Sequence, residues 1–209
     1  MGYIVAKPNF RGSTGYGKAF EEAAFKDWGG AMQNDIEDAA NFLVKKGFAD
    51  PKRVCILGIS YGGYAALMGL VKHSQTYQCA VSINGPTDLL DLVKSDIEKY
   101  RLHKPSIKYV SERYGEPSKD KEYLIANSPF HQAKQIQKPI LLVLGEFDYT
   151  VEPRHTTRLA KKLRGENKDV YLLELKNSGH NIFRYKKDKL RVYEEVTKFL
   201  QKYLPTSNK

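Results

Sequence analysis

Arg53-Val-Cys-Ile-Leu-Gly-Ile-Ser-Tyr-Gly-Gly-Tyr-Ala-Ala-Leu-Met68 changes character half-way along. Its first part is short and apolar, with β-branched Val54, Ile56 and Ile59, which predicts a buried strand. Its last part is rich in Ala, Leu and Met, which favours helix. Between them, Gly58-Ile-Ser60-Tyr-Gly62 has the G-x-S-x-G spacing of a nucleophile elbow. A strand that turns at once into a helix forces the central residue into strained backbone, and flanking glycines let neighbouring backbone pass close by. The serine oxygen is then held at the carboxyl end of the strand. There it lies beside a helix N-terminus, whose backbone N–H groups can meet a developing negative charge. The bland alternative is a glycine-rich strand-to-helix turn with an ordinary serine, and partners elsewhere in the chain decide between the two.

Outward from this stretch, apolar runs at residues 3–7, 79–84, 140–144 and 170–175 predict four further strands. Helical segments alternate with them. Residues 31–46 carry Met32, Ile36, Ala39, Ala40 and Leu43 at helical spacing, with Gly47 as a stop. The elbow helix runs to about His73, residues 151–164 lead into another helix, and Leu190, Tyr193, Val196 and Leu200 mark the last. Residues 87–135 are polar and broken by Pro105, Pro117 and Pro129, and read as a helical excursion over one end of the sheet. The 140–144 run is apolar on both faces. Together these features predict one α/β domain over residues 1–209, a mostly parallel sheet with helices on both sides. In such sheets ligands bind at the carboxyl ends of the strands.

Length and composition agree with one globular unit: 209 residues, 41% hydrophobic and 28% charged. No stretch approaches a transmembrane span, and Lys7 and Pro8 cut the first apolar run too short for a signal peptide. Cys55 and Cys79 lie in or beside predicted strands and read as buried thiols, which points to a reducing, cytoplasmic compartment. The net charge of +10 raises the question of an acidic partner, but the basic residues are spread over helix faces and no nucleic-acid module or zinc-ligand spacing is present. Neither nucleic acid nor membrane is expected as a partner. A nucleotide site has one argument: Gly12-x-x-x-x-Gly17-Lys18 is most of a P-loop, but Ala19 stands where a hydroxyl should reach the magnesium.

A serine hydroxyl needs a base to take its proton. Of five histidines, only His180 sits in a loop directly after a predicted strand, in Asn177-Ser-Gly-His-Asn181. A carboxylate must orient that imidazole. Asp148 follows the 140–144 strand in Gly145-Glu-Phe-Asp-Tyr-Thr-Val151, with Glu146 second and Asp88 a further rival. Ser60, Asp148 and His180 thus share one sheet edge, in the chain order of α/β-hydrolases. The candidate catalytic set is Ser60, Asp148 and His180. No metal or organic cofactor is required for its chemistry.

Several stretches together resemble the catalytic domain of the prolyl oligopeptidase family of serine peptidases, closest to its acylaminoacyl-peptidase and dipeptidyl-peptidase-like members. They are Asn9-Phe-Arg-Gly-Ser-Thr-Gly-Tyr-Gly17, Asp27-Trp-Gly-Gly30, Gly58-Ile-Ser-Tyr-Gly-Gly63, Gly145-x-x-Asp148-x-x-Val151 and Gly179-His180. The resemblance implies an α/β-hydrolase fold and a peptide substrate. It implies Ser60 as nucleophile, His180 as general base and acid, Asp148 as orienting acid, and the Tyr61 backbone N–H as one oxyanion donor. Leu144 and Glu152 depart from residues common in the family. Family members also carry, ahead of the segment that begins here at Met1, further strands, a loop that supplies the second oxyanion donor, and a β-propeller. The resemblance therefore predicts a chain lacking the first strands of the fold and weakened or silent as a catalyst. A complementary N-terminal chain would restore it. Losing one oxyanion donor costs about 3 kcal/mol of transition-state stabilisation.

Overall fold

The computed structural model describes residues 2–166 and 168–205. The chain runs α1 (Lys18–Glu22), α2 (Ala31–Lys45), β1 (Cys55–Ile59), α3 (Tyr61–Lys72), β2 (Cys79–Ile83), α4 (Leu89–Lys99), α5 (Lys104–Tyr114), α6 (Lys121–Ala126), a 3₁₀ turn (Ala133–Gln135), β3 (Ile140–Gly145), α7 (Arg154–Gly165), β4 (Val170–Leu175) and α8 (Lys186–Tyr203). The four strands form one parallel sheet in the order β1-β2-β3-β4. Each connection between them includes a helix, as parallel pairing requires.

Side chains alternate across this sheet and feed two cores. Ala80, Ile140 and Leu142 meet Leu67 and Leu70 of α3 and Leu159 and Leu163 of α7 on one face. Val81, Ile83, Leu141, Val143, Leu173 and Leu175 meet Val192 and Phe199 of α8 on the other. Helices on both faces are why β2 and β3 are buried along their whole length. A third cluster joins Tyr64 and Met68 of α3 to Leu89, Leu92 and Val93 of α4 and to Leu124 of α6, with Trp28 and Tyr61 against it. It anchors the 87–135 segment to the elbow helix. Helix α2 ends as its sequence predicts. Gly47 takes a φ of 74°, its N–H donates to Val44 O, and Phe48 N–H donates to Leu43 O, the two bonds of a Schellman stop.

Two expectations are corrected. Residues 3–7 form no strand, so the described sheet has four strands and not five. Their composition is strand-like, but a strand exists only where a neighbour takes its N–H and C=O groups. Here the segment pairs with nothing extended among the described residues, and Val5 is 87% exposed. Cys55 and Cys79 are not free thiols but are joined as a disulfide. The reason is register: they are direct partners in β1 and β2, with Cα atoms 4.8 Å apart, within disulfide reach. Joined in this way, the two cysteines give no support to a reducing compartment. No helix among the described residues is long and apolar enough to cross a membrane.

Candidate active site

The elbow is built as its glycine spacing demands, at one glycine more than the other. Ser60 stands between β1 and α3 with φ 56° and ψ −119°, a left-handed conformation that non-glycine residues seldom hold. Its N–H donates to Ile83 O at 2.8 Å, so the turn is tied to the end of β2. A Cβ on Gly58 would lie 2.3 Å from both the carbonyl carbon and oxygen of Gly62. The first turn of α3 therefore crosses directly over position 58. A Cβ on Gly62 would meet nothing within 4 Å. The expectation that both flanking glycines serve close packing holds for Gly58 alone.

His180 lies in the loop after β4 and Asp148 in the loop after β3, both at the carboxyl edge that presents Ser60. His180 Nε2 is 3.0 Å from Ser60 Oγ, and His180 Nδ1 is 2.7 Å from Asp148 Oδ2. A carboxylate only accepts, so Nδ1 carries the proton and Nε2 is left to accept from the serine hydroxyl. The other oxygen of Asp148 accepts from Thr150 N–H and Val151 N–H, each at 2.8 Å. These bonds fix the carboxylate, which is 2% exposed. The rivals are elsewhere: Glu146 is exposed, while Asp88 caps α4 through Asp91 N–H and faces His131 and Arg158. The remaining histidines are also occupied. His73 meets Glu37, His103 caps α5, and burial lowers the pKa of His155 inside the fold.

Tyr61 is the first residue of α3, where a backbone N–H has no intrahelical acceptor and points toward the space before the helix. Its ring is clamped by Phe10 at 5.3 Å and Trp28 at 4.6 Å between centroids. That contact explains two of the quoted motifs. Arg11 holds Asp35 of α2 through its guanidinium at 2.7 Å twice and through its own N–H at 3.0 Å, pinning Phe10 in place. Asp27 accepts from Ala31 N–H and Met32 N–H, capping α2 and setting Trp28 against the elbow. Burial pushes the Tyr61 phenol far above its usual range, so it stays neutral.

The P-loop-like run has no such support. Among the described residues no strand precedes Gly12, Lys18 reaches Glu22 at 3.5 Å, and the helix it opens has five residues. No cluster of three or more metal-ligating side chains occurs among the described residues. Sequence reasoning missed Asn84, a buried amide at the end of β2 that bonds to the loops of both His180 and Asp148. Its only outward sign was an asparagine between a strand and Gly85-Pro86, a place where a left-handed residue often stands.

Comparison with known proteins gives one consistent picture. The prolyl oligopeptidase family matches residues 1–207. Dipeptidyl aminopeptidase BIII of Pseudoxanthomonas mexicana is 36% identical over 190 residues, which are 90% of this chain and 27% of that protein. Dipeptidyl peptidase family member 6 of Caenorhabditis elegans is 35% identical over 205 residues, 97% of this chain and 27% of the relative. Among solved structures, a puromycin-hydrolyzing peptidase of Mycobacterium tuberculosis superposes with a TM-score of 0.85 at 28% identity, over 94% of this chain and 29% of that one. The chain thus spans about a quarter of the length of the curated relatives it matches. On the match over nearly its whole length, this chain belongs to the prolyl oligopeptidase family.

Proposed function

We propose that this chain is a serine peptidase acting on oligopeptides or acylaminoacyl peptides. The observation that carries the reading is the unbroken hydrogen-bonded line from Ser60 Oγ through His180 to Asp148. Ser60 Oγ attacks the substrate carbonyl carbon as its proton passes to His180 Nε2. Asp148 holds the imidazolium that results, and the new oxyanion lies near Tyr61 N–H. His180 then gives that proton to the leaving amine as the C–N bond breaks. Water, deprotonated by His180, attacks the acyl-enzyme, and the C–O bond to Ser60 breaks to free the acid and regenerate the serine. The names of the relatives, a dipeptidyl aminopeptidase and an acylamino-acid-releasing enzyme among them, favour peptides as the substrate class.

The α4–α6 segment, anchored to the elbow helix through Tyr64 and Met68, is suited to cover the site within a single unit of residues 1–209. A complementary chain carrying further strands would pair with β1. Among the described residues that strand has a neighbour on one side only, and its Leu57 and Ile59 are 48% and 40% exposed. That chain would also bring the second oxyanion donor. A cytoplasmic location has lost its main support in the disulfide.

Chromogenic dipeptidyl and N-acylaminoacyl amides test the reading. The expected result is turnover by the wild-type chain, raised by any complementary N-terminal segment supplied in trans and abolished in Ser60→Ala. Wild-type turnover no greater than that of Ser60→Ala, with and without that segment, would overturn it.

A further inference from the structure

Three loops carry the site, and one side chain outside the triad touches two of them while sitting next to the third. Asn84 follows the last residue of β2 and is 2% exposed. Its Oδ1 accepts from Gly145 N–H at 3.0 Å. Its Nδ2 donates to His180 O at 2.9 Å and lies 3.4 Å from Gly179 O. The amide orientation is fixed by these partners, since one is a donor and the others are carbonyls. Gly145 begins the turn that carries Asp148, whose N–H returns to Gly145 O at 3.2 Å. The third loop is reached through the backbone: Ile83, the preceding residue, accepts the N–H of Ser60.

The backbone of Asn84 is itself unusual. Its φ is 47°, in the left-handed region where glycine is the default and asparagine the best-tolerated alternative. A glycine would satisfy the backbone without strain. Asparagine accepts some strain and places a donor and an acceptor between two loops that lie 61 and 96 residues away along the chain.

We propose that Asn84 is a positioning residue, an amide strut that sets the spacing of the Asp148 and His180 loops so that the imidazole bridges carboxylate and serine; the proposal rests on the serine-hydrolase reading above. It touches neither substrate nor reacting atoms. Its effect belongs to the chemical step, because a misplacement of about 1 Å in a catalytic group can cost on the order of 100-fold in rate.

The test uses an activated ester with the full chain, reading kcat and KM separately, beside thermal unfolding. Asn84→Gly keeps the backbone conformation and removes the strut. Asn84→Asp keeps the shape and the acceptor for Gly145 N–H but turns a carboxylate oxygen toward two carbonyls. Both are expected to lower kcat tenfold or more with KM within twofold, the aspartate more than the glycine, and Asn84→Gly is expected to retain cooperative unfolding. Wild-type kcat in Asn84→Gly would overturn the strut while leaving the hydrolase reading intact. So would wild-type kcat in Asn84→Asp, should the glycine variant fail to fold. Absence of Ser60-dependent ester hydrolysis in the wild-type chain, both alone and with a complementary N-terminal segment, would overturn both.

Discussion

Substituting the two glycines of the elbow one at a time separates close packing from mere flexibility. In Gly58→Ala the new Cβ starts 2.3 Å from the carbonyl carbon and oxygen of Gly62 and 2.6 Å from its Cα. Ordinary contact begins at 3.4 Å, so β1 and α3 must part by about 1 Å. Helix α3 has no slack to give, because Tyr64, Ala65, Ala66, Leu67, Met68 and Leu70 are all buried. Overpacking of this kind costs about 1–3 kcal/mol, and more where backbone must move. For a chain of this size each kcal/mol lowers Tm by roughly 2–4 °C. A displacement of that size at Ser60 should also slow the chemistry about 100-fold. In Gly62→Ala the added methyl meets nothing, and in a helix alanine is favoured over glycine by up to about 1 kcal/mol. Urea unfolding of the two variants is the assay. Equal stability of Gly58→Ala and the wild type, or equal loss of stability in both variants, would rule out close packing at Gly58 as the cause.

Two further outcomes are expected. Asp148→Asn should leave the fold in place but let the imidazole settle in the wrong tautomer, lowering ester hydrolysis on the order of 10⁴-fold, with little change in KM; a loss under tenfold in kcat would refute the orienting role. The Arg11 guanidinium, through its hydrogen bonds, holds the Asp35 carboxyl below its ordinary pKa. The pair therefore stabilises the fold above the unfolded-state value near pH 4, and that contribution fades as pH falls through the lower folded value. The stability gap between wild type and Arg11→Met, measured by urea unfolding, should be constant from about pH 5 to 7 and shrink below pH 4; a gap that grows on acidification would contradict the assignment.

Four strands were legible because each is a short apolar run closed by a turn. Parallel pairing was legible because 140–144 is apolar on both faces, as a strand covered from two sides must be. The same logic predicted a strand at residues 3–7, and composition could not reveal that this run pairs with nothing extended among the described residues. The Cys55–Cys79 bond was hidden for a related reason: it depends on the register of β1 against β2, which is set by packing and not by either segment alone. Convergence of Ser60, Asp148 and His180 on one edge was foreseeable, since each follows a strand and parallel strands end together. Their distances were not. Asn84 escaped notice because its partners are loops that come near only after the sheet has formed. The glycines looked alike in the motif, and only the path of α3 distinguishes Gly58 from Gly62.

Ser60 is a nucleophile only if His180 makes it reactive. Mass spectrometry of the chain after exposure to a fluorophosphonate measures this without a leaving amine, a substrate pocket or turnover. A single adduct mapping to Ser60 is expected, absent in Ser60→Ala and slowed about 100-fold or more in His180→Ala. An unlabelled wild-type chain, an adduct on another residue, or an undiminished rate in His180→Ala would contradict it.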